Sequence, residues 1–250
     1  MTEMSIEDYL SHGGKLTSPG NVPARYRGEL LRLMASFVDS ELAASAGFAD
    51  TINDAPGIKS RIAAARIVLE KADHAEKVLS VMAEFGVDTA RYEGVHPWAA
   101  RVARDADIGA SRQGGDMRLS VFHYPLQGWL DAVVMNVLQG LAATVQISEM
   151  AQVSYQPLAE VFRKIAPIEA RHAELGLEGL SHIAATEEGH EEIEESLAYW
   201  RPRVAAGFGA SNSARFERLA KLGLRHRTNE ALLAEWMATV DAHLADMTLI

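Results

Sequence analysis

Glu169 and His172 lie three residues apart in the segment Ile165-Ala-Pro-Ile-Glu-Ala-Arg-His-Ala-Glu-Leu175. On a helix, that spacing puts a carboxylate and an imidazole on one face, one turn apart. Helix bundles use this arrangement to present metal ligands inward. The neighbours give the pair its weight. Phe162, Ile165, Glu169, His172 and Gly176 recur at a 3-4-3-4 spacing, so two ionisable groups interrupt an apolar seam. A buried acid and imidazole are costly unless something satisfies them. A second Glu-x-x-His, Glu187 and His190, sits in a run of acids and reads as a solvated acidic face.

Three further segments carry ionisable residues where an apolar one is expected. Glu41 interrupts Leu30, Met34, Phe37, Ala44 and Phe48; Lys71 and His74 interrupt Ile67, Val78 and Val81; Asp131 heads Val134, Leu138, Leu141 and Val145. A dinuclear iron or manganese carboxylate site takes a carboxylate from each of two helices and a Glu-x-x-His from each of the other two. The first, third and fourth contributions are complete. The second has Lys71 three residues before His74, where a glutamate belongs. Taken singly, Glu41 and Asp131 have an ordinary reading as ion-pair residues, and His74 as a hydrogen-bonded core histidine. The metal reading rests on their recurrence along four seams.

Lys71 changes the charge of such a site. Three carboxylates against one ammonium leave two negative charges, which one divalent ion balances and two exceed. Lys71 could instead sit among the carboxylates and replace a metal outright. Glu70, four residues before His74, is a substitute ligand if the helix rotates or carries a π-bulge. The expectation is one metal ion or none in the isolated protein, with Glu41, His74, Asp131, Glu169 and His172 as ligands.

The elements that must position these groups follow from punctuation and period. Residues 1–22 form a flexible lead-in rich in turn residues. Helices are expected at about 23–49, 58–85, 126–151 and 156–183, with Asn53-Asp-Ala-Pro-Gly57 and Gly86 as stops and Pro167 removing a hydrogen bond or kinking the fourth. Residues 87–124 are irregular, with at most a short helix near Trp98–Asp105. Such a connection is too long for adjacent antiparallel helices and suits the crossover of a ferritin-like bundle. The bundle spans 23–185. Residues 186–250 read as a C-terminal extension of two or three polar amphipathic helices. The fold class is all-α.

Bulk properties narrow the function. The chain has 250 residues, 48% hydrophobic, and a net charge of −10, so the basic surplus of a nucleic-acid binder is missing. Zero cysteines exclude thiolate metal sites, iron–sulfur clusters and cysteine nucleophiles. The N-terminus lacks an apolar leader, and the run Leu126–Val145 contains Asp131, Asn136 and Gln139, so it reads as a buried core helix. A soluble, cytoplasmic protein is expected, with neither nucleic acid nor membrane as partner.

The sequence resembles the phenylacetic-acid catabolic family, the catalytic and structural subunits of ring-1,2-phenylacetyl-CoA epoxidase. The matching segments are Asp39-Ser-Glu-Leu42, Glu70-Lys-Ala-Asp-His74, Gly128-Trp-Leu-Asp-Ala132 with Met135-Asn136, Ser154-Tyr155 and Ile168-Glu-Ala-Arg-His172. The resemblance implies a ferritin-like fold. In the catalytic members of the family, a di-iron centre activates O2 and inserts oxygen into the aromatic ring of a CoA thioester, with electrons from a separate reductase. Carried over, Glu41, His74, Asp131, Glu169 and His172 match ligand positions, and Lys71 falls on a glutamate. The implied cofactor is iron, one or two ions or none. The implied partners are a second copy or a related subunit, and an acyl-CoA or aromatic-acid substrate. Three readings follow: an oxygenase, a non-catalytic scaffold that pairs with a catalytic homologue, and a storage protein. Coenzyme phosphates would need cations, for which Arg101, Arg104, Arg112 and Arg118 in the crossover and Arg201, Arg203, Arg225 and Arg227 in the tail are available, most of them expected to be solvated surface residues.

Overall fold

The computed structural model describes residues 5–112 and 115–249, which contain helices and no strand. The helices are α1 (Ile6–Ser11), α2 (Ala24–Thr51), α3 (Ile58–Glu84), α4 (Thr89–Glu93), α5 (Gly128–Met150), α6 (Gln156–Ile183), α7 (Glu187–Ala205), α8 (Ala214–Lys221) and α9 (Asn229–Asp246). The four long helices α2, α3, α5 and α6 form a ferritin-like bundle. α2 packs along α3, α5 along α6, and α3 closes against α6.

Local chemistry sets the helix ends. Ile52–Asp54 forms a 3-10 turn after α2, and Gly57 starts α3 from an extended conformation. α3 stops at Gly86, whose φ of +81° is open to glycine. There the N–H of Gly86 bonds to the Ala83 carbonyl at 2.8 Å and that of Val87 to Met82 at 3.4 Å, closing the last turn. α6 begins with Pro157 in its first turn, where a missing N–H costs nothing. It continues through Pro167, which deprives the Arg163 carbonyl of its helical partner without ending the helix.

α5 is the axle of the fold. Ala132 to Ala142 is buried without interruption, with α6 on one side and α7 and α9 on the other. By length and hydropathy α5 could cross a membrane, but 78% of its most apolar stretch is buried inside the protein. α5 and α6 meet through small residues: a Cβ on Gly140 would lie 3.1 Å from the Ala173 Cα, and one on Gly176 2.6 Å from Asn136 Nδ2. The α9 indole of Trp236 is fully buried and donates to the Leu138 carbonyl at 3.0 Å.

The crossover departs from expectation. Its short helix is α4, capped by the Asp88 side chain, and residues 98–105 form turns. The reason is competition for carbonyls. Fully buried Arg118, paired with Asp116, donates to Pro97, Trp98 and Ala100 at 3.2, 3.1 and 3.3 Å, turning these carbonyls toward the guanidinium and competing with a helical ladder there. Asp39 of α2 then accepts from the Tyr92 hydroxyl at 2.5 Å and the Met117 N–H at 2.6 Å. The long connection is thereby fastened to the bundle.

Candidate metal centre

Phe162 and Ile165 of α6 are fully buried, and the same seam carries Glu169 and His172 to the bundle axis with no exposure at all. α2 brings Glu41 and α3 brings Lys71 and His74, all buried. Ligand atoms of Glu41, His74 and Glu169 lie within 4.8 Å of one another. His74 Nδ1 stands 2.9 Å from Glu169 Oε1 and 3.5 Å from Glu41 Oε2. The Lys71 ammonium lies 3.2 Å from both Glu169 oxygens and 3.4 Å from Glu41 Oε1. His172 Nδ1 is 3.4 Å from Glu169 Oε1, and its ring lies 5.9 Å from that of His74.

Charge explains why this group tolerates burial. Desolvation pulls the Lys71 pKa down, but the carboxylates of Glu169 and Glu41 outweigh it and hold the amine above its ordinary value. Desolvation likewise opposes the His74 cation, while hydrogen bonds to Glu169 and Glu41 carry it to about 9. Burial raises Glu169, yet Lys71 and the two histidines take it well below the carboxylate range. Two carboxylates therefore face one ammonium and one imidazolium, and the cluster is neutral as it stands.

The donor set nevertheless fits a single cation. Glu70 lies outside the cluster and holds the outer nitrogen of His172, with Nε2 to Oε2 at 2.6 Å. A carboxylate only accepts, so Nε2 carries a proton, and in the neutral form of the ring Nδ1 presents a lone pair to the cluster. That Nδ1 and Glu41 Oε2 are buried with no hydrogen-bond partner. A lone pair turned toward a carboxylate oxygen is repulsive unless a cation lies between them. A carboxylate on the far nitrogen is also the usual support of a metal-binding histidine. One divalent ion that displaces the His74 proton gives a local charge offset by Glu70. A second ion would stand against the Lys71 ammonium with no carboxylate left to balance it.

The structure keeps Asp131 out of the cluster. Its carboxylate accepts from Arg104 of the crossover, from Ser196 of α7 at 2.7 Å and from the Gln127 N–H at 3.0 Å. Burial raises its pKa, but these donors, Arg104 first, bring it below the ordinary value. α5 instead turns Asn136 toward the site, donating to the His172 carbonyl at 2.9 Å, and its Gln139 lines a cavity that also reaches Glu41. Glu70, expected as a substitute ligand, instead bonds to His172, itself a candidate ligand. The arginines divide similarly. Arg101 caps the Ala43 carbonyl, Arg104 and Arg118 are in ion pairs, Arg201 and Arg227 pair with Asp241 and Glu235, and Arg203 lies over Tyr199. Arg112 and Arg225 line the Glu41 cavity, together with Arg215, which sequence reasoning missed.

Residues 14–250 match the model of a family described as phenylacetic acid catabolic protein. A curated relative, one of the subunits of the 1,2-phenylacetyl-CoA epoxidase of Escherichia coli (strain K12), is 24% identical over 215 residues. The match covers 84% of this chain and 64% of that relative, so the chain spans just under two thirds of the relative's length.

Proposed function

Since the chain belongs to the phenylacetic acid catabolic protein family, we propose that it is a ferritin-like relative of the epoxidase subunits holding one iron ion, not two. Its ligands are Glu41, His74, Glu169 and His172, with Lys71 filling the second position. Its reaction class is O2-dependent oxidation of an aromatic acid or its acyl-CoA derivative. The observation that carries this reading is the buried, unpartnered Nδ1 of His172, set beside Glu169 in a ring whose outer nitrogen is held by Glu70.

Bound iron would supply redox chemistry toward O2. The chain's own residues do the rest. Glu70 keeps the inner nitrogen of His172 free of its proton, and Asn136 holds the His172 backbone in place. Phe162 and Ile165 keep water from the cluster. Lys71 fixes the charge so that one ion suffices. Electrons come from a separate reductase, and the chain works beside a second copy or a related subunit. Pairing is supported by the relative's name as one subunit of an epoxidase and by the exposed apolar stripe Ile58, Ile62 and Leu69 on α3.

A second reading is favoured by Lys71 itself. The ammonium, with the His74 imidazolium, already neutralises the cluster, as a non-catalytic structural subunit would require. Elemental analysis after native purification separates the two. One ion per chain, lost from His172→Ala, supports the iron centre. No ion in wild type and uptake by Lys71→Glu supports the structural subunit. Two tightly held ions in wild type overturn both.

A further inference from the structure

A cavity of about 280 Å³ lies between α2, α5 and the C-terminal segment, with buried Glu41 at its inner wall and exposed Arg112 at its rim. Its sides are apolar, formed by Leu33, Phe37, Ala143, Ile147, Met150 and Phe216. Arg215 and Arg225 complete the lining, and among the described residues none of the three arginines is engaged by a carboxylate hydrogen bond. Arg215 has only Glu29, at 3.6 Å; Arg112 donates to Ser36 Oγ at 3.2 Å and Arg225 to Asn229 Oδ1 at 3.1 Å, both neutral groups. The Nε atoms of Arg215 and Arg225 are buried without a hydrogen-bond partner. Partial desolvation, and then the charge of Arg215, lower the pKa of Arg112 against the pull of Asp39 and Asp116; burial and Arg215 also lower that of Arg225, against the pull of Glu149. Three guanidinium groups crowd one opening, each with donors to spare.

We propose that this cavity binds a small amphiphilic oxyanion, a free aryl- or alkyl-carboxylic acid with its headgroup on Arg112, Arg215 and Arg225 and its hydrocarbon body against Phe37, Ala143 and Ile147. Size and placement select the ligand. The volume falls just below the roughly 300–1,000 Å³ of pockets that take drug-sized ligands, which suits an acid of about ten heavy atoms. The arginines line the cavity itself, so their anion lies only a few bonds from the apolar body. In a coenzyme A thioester the phosphates stand a whole pantetheine arm from the acyl group, and the thioester carbonyl that would enter here is neutral. A carboxylate, or a phosphoryl group of similar size, matches the arginine fork in charge and shape. This site touches the proposed metal centre only through Glu41, and binding is measured without metal, so either reading can fail alone.

The test is calorimetric titration of the chelator-treated full chain with phenylacetate, phenylacetamide, benzyl phosphate and phenylacetyl-CoA. Phenylacetate should bind at least about tenfold more tightly than its neutral amide, weakening with salt. Arg215→Met and Arg225→Met should each remove most of that advantage while leaving amide binding unchanged. Ala143→Leu, which fills the apolar side and spares the arginines, should abolish binding of acid and amide alike, and keeps the test open if an arginine variant fails to fold. Tighter binding of benzyl phosphate identifies the headgroup as phosphoryl and keeps the site. Equal binding of acid and amide, indifference to both arginine substitutions, or binding of the CoA thioester alone overturns the proposal.

Discussion

Replacing Lys71 by methionine isolates the ammonium at the centre of the bundle. The side chains are similar in length, so packing is largely kept and the loss is one buried charge. Its contacts to Glu169 and Glu41 lie at 3.2 to 3.4 Å, and its side chain is 4% exposed. Removing one partner from a buried charge group leaves the others uncompensated, at a cost of about 3–5 kcal/mol. In a chain of this size each kcal/mol moves the melting temperature by about 2–4 °C, so roughly 6–20 °C should be lost in chelator. The assay is a thermal melt followed by circular dichroism at neutral pH, with and without a divalent ion. A divalent ion such as manganese(II) should restore the variant more than it stabilises wild type, because it returns positive charge to the same carboxylates. A variant that melts with wild type in chelator would refute the reasoning: Lys71 would not be what balances Glu41 and Glu169.

In chelator, stability should also depend on pH through His74. Its pKa is about 9 folded against 6.5 unfolded, so the stabilisation is complete below 6.5 and is lost as pH climbs through 9; denaturant melts should lose up to about 3 kcal/mol across that interval. Asp131→Asn should cost about 1–3 kcal/mol by breaking the charged pair with Arg104, while metal content stays unchanged. Because the folded Asp131 pKa is depressed, its advantage over asparagine should persist above 3.8 and vanish as pH falls below that value. Gly176→Ala should cost about 1–3 kcal/mol, since its Cβ would meet Asn136 Nδ2 at 2.6 Å and the Val137 N at 3.3 Å. It should also lower metal retention by moving the Asn136 contact to His172.

The four bundle helices were legible in the sequence because their ends carry strong signals: proline and glycine after α2, a left-handed glycine after α3, Pro157 at the start of α6. The seams of α2, α3 and α6 were legible because each helix buries one face and exposes another. α5 has no such contrast. It is buried nearly all round, so period alone shows that Asp131 is inside but not which neighbour it faces. The tail helices α7 and α9 also pack against it, and α7 supplies the Ser196 that Asp131 meets. The partner of Glu70 was hidden for another reason. The spacing of Glu70 from His74 suggested a shared target, whereas Glu70 reaches across to His172 on α6, a contact that only the packing of α3 against α6 creates. The turns at 98–105 were hidden because the competitor for their carbonyls is Arg118, far along the crossover.

The ammonium of Lys71 is covalently part of α3, one turn from His74. It cannot diffuse away, be chelated or be withheld by a starved cell. The acids of the core therefore meet their counter-charge as soon as the chain collapses, whatever the ionic composition around it. Folding is released from metal supply, and any metal loading would be a later, reversible event on a scaffold that already stands.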